Sequence, residues 1–221
     1  MRLVLLGPPG VGKGTQADLI AHEFDILHYS TGDIFREILK GSSELSGKLA
    51  KYIDKGELVP DDIVSETIRR TLSNDGTKSK GWVLDGFPRN LVQAKMLDDL
   101  LCNVNQKLDF AIYLRAHRDI LVDRLASRRV CSKCGIIYSL QINPPKENSI
   151  CDECGGELIQ RKDDERDTIL KRILIFENEF APIRHYYKDE EILIEVNGIG
   201  NVNDVFNHIL ENLKSGQERR N

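Results

Sequence analysis

The sequence has no long hydrophobic run. Its longest early stretch, Leu3-Val4-Leu5-Leu6, falls far short of a signal-peptide core, and nothing approaches the ~18 apolar residues of a membrane span. Aromatics are sparse at 6 %, with one tryptophan, and no aromatic array suited to base stacking is present. Positive charge is not in excess. Lys and Arg number 31 against 35 Asp and Glu, a net charge of −4 that argues against a dominant nucleic-acid surface. Internal repeats and low-complexity segments are absent as well. What remains is a chain of 221 residues, 40 % hydrophobic and 30 % charged, long enough to bury a core without staples. It is expected to be soluble and cytoplasmic, with neither membrane nor nucleic acid among its partners.

Cysteine is scarce but unevenly placed. Four of the five, Cys131, Cys134, Cys151 and Cys154, form two C-x-x-C pairs separated by 16 residues. Without a signal peptide this points to metal rather than disulfides, and the spacing suits a tetrahedral zinc site. Gly135 and Gly155 follow the pairs, as two tight knuckles require. Four thiolates leave no open coordination position, so the site should be structural. A redox role would need only one pair. Cys102 stands alone on an apolar helix face and is expected in the core.

Along the chain, short apolar runs alternate with helical patterns. Strands are expected at Arg2–Leu6, Leu27–Tyr29, Trp82–Leu84, Asp109–Leu114 and Ile192–Val196. Helices are expected at Thr15–Phe24, Asp33–Lys40, from Ser43-Glu44 to near Gly56, from Pro60 to about Leu72, and over Asn90–Cys102, Arg118–Arg128 and Val202–Leu213. Residues 163–188 read as helix, bent or broken by Pro182. Residues 129–160 lose the helical period and read as a small insert. Ser215–Asn221 reads as a frayed polar tail. The alternation predicts an α/β fold with a parallel, doubly wound five-stranded sheet and helices on both faces.

The stretch GPPGVGKGT, Gly7 to Thr15, lies between a strand and a helix. Glycines let successive backbone N–H groups turn around an anion, and the helix start adds its positive dipole end. Lys13 can reach the outer phosphates of a nucleotide. The strict P-loop pattern wants Ser or Thr directly after the lysine; here Gly14 intervenes before Thr15. Together with STGD (Ser30–Asp33), DGFPR (Asp85–Arg89) and RKDD (Arg161–Asp164), in order over nearly the whole chain, this sequence closely resembles the adenylate kinase family in its long-lid, zinc-bearing form.

That resemblance implies MgATP and AMP as substrates, two ADP as products, structural Zn²⁺ and a monomer. It implies a core of residues 1–29, 60–128 and 161–214, an AMP-binding helical flap at 30–59, a zinc-binding β lid at 129–160 and a tail at 215–221. Gly10, Val11, Gly12, Lys13, Gly14 and Thr15 would hold the ATP phosphates, joined by Arg124 and Arg128. Ile137 and Tyr138 would lie at the ATP base, with Tyr138 covering the adenine and Gly200 touching it through its backbone. Thr31, Arg36, the backbone of Glu57, Leu58 and Val59, the turn Gly86, Phe87, Pro88 and Arg89, and Gln93 would form the AMP site. Arg161 and Arg172 would close on the phosphates, and Asp85 would hold magnesium through its water shell. Phe35, Asn90 and Glu57 depart from the usual leucine, threonine and lysine without removing a needed charge, since at position 57 the backbone is what counts.

The residues themselves suit phosphoryl transfer, which needs alignment and charge neutralisation more than covalent chemistry. Planar guanidinium groups grip phosphate bidentately, and Arg124 and Arg128, four apart, would share a helix face. Alone, that cluster would equally fit a solvated basic face. The five histidines show no shared spacing and read as surface or satisfied residues. A GTP-dependent AMP kinase, a UMP/CMP kinase of the same fold, and a zinc-ribbon P-loop switch that binds nucleic acid are the competing readings. The last is disfavoured because residues 131–154 are not strongly basic.

Overall fold

The structure is a computed structural model that describes residues 1–41, 44–73 and 80–218. Five parallel strands form the main sheet: β1 (Arg2–Leu6), β2 (Leu27–Ser30), β3 (Trp82–Asp85), β4 (Phe110–Arg115) and β8 (Leu193–Asn197), in the order β2-β3-β1-β4-β8. Their side chains alternate between two cores. Leu3 and Leu5 of β1 join Ile112 and Leu114 on one face, while Val4 and Leu6 join Leu84 and Ala111 on the other. Period-2 geometry thus splits one continuous apolar run into two buried layers. The first is covered by α1 (Lys13–Glu23), α8 (Val202–Glu218) and the first turns of α7 (Arg166–Asp189), the second by α4 (Asp61–Leu72), α5 (Leu91–Cys102) and the later turns of α7. Strand order reverses at β1, which opens a crevice beyond the carboxyl ends of β1, β3 and β4.

Two further helices, α2 (Thr31–Lys40) and α3 (Glu44–Ile53), fill the expected flap at 30–59; the expected start of α3 at Ser43 lies outside the described residues. Helix α6 (Arg118–Ala126) leads into a three-stranded antiparallel sheet, β5 (Arg128–Cys131), β6 (Ile137–Ser139) and β7 (Leu158–Ile159), in the order β6-β5-β7. Among the described residues no helix is long and apolar enough to cross a membrane.

Four expectations need correction. Pro182 does not break its helix: α7 runs unbroken for 24 residues, because Phe180, Ile183 and Tyr187 bury its inner face while Pro182 itself is exposed. The helix expected to reach Arg128 ends at Ala126, so Arg124 and Arg128 share no helical face. Ser127 turns the chain instead, its carbonyl accepting from the Leu140 N–H, and Arg128 opens β5. The tail is helical as far as Glu218, with Gly216 packed against the Phe110 ring. Cys102, expected in the core, is exposed as the last residue of α5.

Candidate active site

The glycine loop delivers Lys13 to the mouth of the crevice. Gly12 adopts φ +101°, a left-handed conformation that L side chains rarely take, and this turn starts α1 at Lys13. The ammonium donates to the carbonyls of Gly7 (2.9 Å) and Pro8 (3.0 Å). Burial lowers its pKa to about 8. The Asp85 carboxylate opposes that shift, and Arg89, Arg172 and Arg128 add to it. Asp85 ends β3 beside Gly14 and has no ion-pair partner among the described residues. Its carbonyl accepts from Thr31 Oγ1 at 3.2 Å, which ties the start of the flap to the crevice.

Arginines converge from four elements. Arg124 of α6 donates to the carbonyls of Gly198 (3.1 Å) and Val11 (3.4 Å), bridging the glycine loop to the turn that carries Gly200. Arg128 makes a two-pronged pair with Asp164 (2.7 and 2.5 Å), and Arg172 of α7 shares that carboxylate at 3.2 Å while also pairing with Asp163 at 2.9 Å. Asp164 is fully buried. Arg89 donates from Nε to Gly86 O at 2.7 Å and keeps an open face to water; Arg36 of α2 pairs with Asp33. Arg161 has a buried Nε without a hydrogen-bond partner, and burial followed by repulsion from Arg128 and Arg36 pushes its pKa down to about 10. Protein carboxylates therefore cover only part of this positive charge. The surplus is what a polyanion would neutralise.

A cavity runs from these cations into an apolar wall. Lys13, Arg36, Arg89 and Arg172 line it together with Phe35, Ile53, Val59, Val64, Phe180 and Ile183, and Leu58, Glu57 and Gln93 complete it. Phe87, expected at this site, is fully buried in the core and does not line the cavity. Glu57 does more than lend its backbone: its carboxylate pairs with Lys171 of α7 at 2.8 Å, fastening flap to core. Thr15 lies exposed in the first turn of α1.

The four cysteines meet in the small sheet, all Sγ atoms within 4.8 Å of one another. The Cys131–Cys154 and Cys134–Cys151 separations are 3.4 and 3.6 Å. A tetrahedron with Zn–S bonds of ~2.3 Å has edges of ~3.8 Å, so the set fits zinc. Backbone N–H groups of Lys133 and Cys134 point at Cys131 Sγ. Gly156 passes so close to Cys131 Sγ that a Cβ there would sit 2.8 Å away. Tyr138 belongs to the same cluster. It is only 4 % exposed, packs among Cys131, Cys151 and Leu158, and takes the Asp152 N–H on its hydroxyl at 2.9 Å. Its ring is part of this small core. Neighbouring Ile137 is 49 % exposed.

Three carboxylates escaped the sequence reading: Asp61, Asp163 and Asp164. The RKDD motif contains the last two, but only the fold shows that they bind Arg128 and Arg172. Asp61 lies far from any motif and accepts from both Asn90 Nδ2 (2.9 Å) and Gln93 Nε2 (2.7 Å).

A family model described as adenylate kinase matches residues 5–192. An adenylate kinase of Caldanaerobacter subterraneus is 48 % identical over 210 residues, covering 95 % of this chain and 94 % of that one. One from Clostridium botulinum is 45 % identical over 209 residues, covering 95 % and 96 %.

Proposed function

The chain belongs to the adenylate kinase family, and on that premise we propose how its residues carry out reversible phosphoryl transfer from MgATP to AMP. The observation that carries the reading is the single cavity in which Lys13, Arg36, Arg89 and Arg172 face an apolar base-sized wall beside the glycine loop. AMP enters with its phosphate toward Arg36, Arg89 and Arg172 and its base against Phe35, Val59 and Val64. ATP lies over the loop, with its phosphates on the backbone of Gly10–Thr15, on Lys13 and on Arg124, and its base near Gly200 and Ile137. Magnesium would arrive with ATP and neutralise phosphate charge, and Asp85, which has no ion-pair partner among the described residues, would hold its water shell.

The acceptor phosphate oxygen is already an anion and needs no strong base. Lys13, Arg128, Arg161 and Arg172 neutralise the repulsion between donor and acceptor and hold the transferring group in line. Arg128 and Arg172 reach this position braced by Asp164, so their side chains need little reordering. Zinc on Cys131, Cys134, Cys151 and Cys154 holds the small sheet together. That sheet acts as a lid that excludes water from the transfer, and it moves with Arg128 and Arg161 at its base. The protein works as a cytoplasmic monomer.

A coupled assay should show ADP formed from MgATP only when AMP is added. Equal turnover with and without AMP would mean an ATPase and overturn the reading. For the lid, labels at Lys146 and on the core should approach when a ligand spanning both sites binds; a fixed distance at saturation would make it a static cap.

A further inference from the structure

Gln93 is 1 % exposed and lines the cavity where the acceptor base lies, and both ends of its amide are already fixed by the protein. Its Nε2 donates to Asp61 Oδ1 at 2.7 Å, and its Oε1 accepts the Arg89 N–H at 2.8 Å. A carboxylate can only accept and a backbone N–H can only donate, so both contacts favour the same orientation, and the charge-assisted bond to Asp61 supplies the larger share of that preference. A free glutamine amide flips at little cost; this one would set donor against donor at Arg89 and acceptor against acceptor at Asp61. Asp61 is itself held, because Asn90 Nδ2 donates to both its oxygens at 2.9 and 3.2 Å while Asn90 Oδ1 caps α5 by accepting the Gln93 N–H at 2.8 Å.

We propose that Asp61 is a specificity-determining positioning residue: it locks the Gln93 amide in the one orientation whose remaining lone pair and N–H match the amino group and ring nitrogen of a 6-aminopurine. The inference rests on the acceptor-site reading above. After its two protein bonds the amide retains one lone pair and one N–H. Adenine offers a donor at its 6-amino group beside an acceptor ring nitrogen. Hypoxanthine and guanine reverse that order, with an acceptor at O6 beside a ring N–H, and would need the flipped amide. Asp61 touches neither substrate nor reacting phosphate; it acts through Gln93. A site built to pair its polar groups rejects a mismatched ligand strongly, because the mismatch leaves those groups buried without partners.

The test compares AMP with IMP, which differ at the 6-position and the adjoining ring nitrogen, in the intact enzyme and in Asp61→Ala and Asp61→Ser. Alanine removes the acceptor. Serine can donate to Oε1 as well as accept, so it also releases the lock, and it serves if the alanine variant does not fold. The ratio of kcat/KM for AMP over IMP should fall at least tenfold in either variant, through a raised KM for AMP, while the KM for MgATP stays within about twofold. A folded variant with both acceptors weakened equally and the ratio unchanged assigns Asp61 a purely structural role and overturns the proposal. Failure of the unmutated enzyme to use AMP at all would overturn the acceptor-site reading instead.

Discussion

The main sheet and the cysteine subdomain are both β-structures within one chain, and they differ in what fills the space beside their strands. The main sheet lies between two clusters of 18 buried residues each, almost all aliphatic or aromatic. The subdomain buries four residues in its cluster, and two of those are the metal-site cysteines Cys131 and Cys151. At roughly 1.5–3 kcal/mol for each large buried side chain, the main sheet can offset the entropy of ordering its residues. The subdomain cannot. It also exposes Ile136, Ile137, Leu140, Ile142, Ile150 and Ile159, which a larger core would have absorbed. One region is stabilised by water leaving hydrocarbon, the other brings together four thiols whose spacing fits a metal ion, and the buried pair of Arg128 with Asp164 joins them.

Removing the metal should separate the two regions most completely. Structural zinc is worth on the order of 10 kcal/mol in small metal-held units. With a strong chelator, NMR signals of residues 129–160 should collapse to unfolded positions while those of the main sheet persist. Loss of both sets together would show that the subdomain also supports the core. Cys131→Ser should act the same way more mildly, lowering the melting temperature more than it lowers activity in the cold.

Asp164→Ala should come next. It leaves Arg128 without its carboxylate partner and Arg172 with Asp163 alone, and breaking such a buried pair typically costs about 3–5 kcal/mol. Denaturant unfolding would measure it, and a change below about 1 kcal/mol would show that solvent already compensates these arginines. Lys13→Ala should leave stability near normal and slow turnover by a factor of at least about 100, equivalent to ~3 kcal/mol of transition-state stabilisation. Near-normal turnover in a folded variant would remove Lys13 from the chemistry.

Smaller effects test the electrostatics. The Lys13 pKa is lowered to about 8, so folding stability is penalised below that pH and the penalty lifts as pH rises from about 8 toward the ordinary lysine value. Bound polyphosphate reverses the shift. Nucleotide binding near pH 8.5 should therefore take up protons, seen by calorimetry in buffers of different ionisation enthalpy; no uptake would contradict a phosphate contact. The smallest effect belongs to the Glu57–Lys171 pair, both partners of which are substantially exposed. Lys171→Ala should lower stability only slightly, and less still in high salt, measured by denaturant titration.

Much of this was legible where chemistry imposes local spacing. The glycine loop, the apolar strands and the two cysteine pairs are short-range patterns, and each lies where its spacing predicted. The misreadings involve distant partners. Arg128 looks helical until Ser127 diverts the chain. Pro182 looks like a breaker until the apolar contacts of Phe180, Ile183 and Tyr187 hold the helix through it. Asp61 could not have been read at all, since its partners lie 29 and 32 residues further along the chain.

The pairing of β5 with β7 has a consequence at the level of the gene. These strands are where the subdomain enters and leaves, and they lie side by side and antiparallel, with Val130 opposite Ile159. Adjacent strands are ~4.8 Å apart, a gap that a two-residue hairpin turn closes. One in-frame deletion between those positions would therefore leave a short loop on an otherwise unaltered scaffold, and one in-frame insertion would restore the four-cysteine version. The subdomain is thus joined to the rest of the chain through two positions whose backbones are already neighbours.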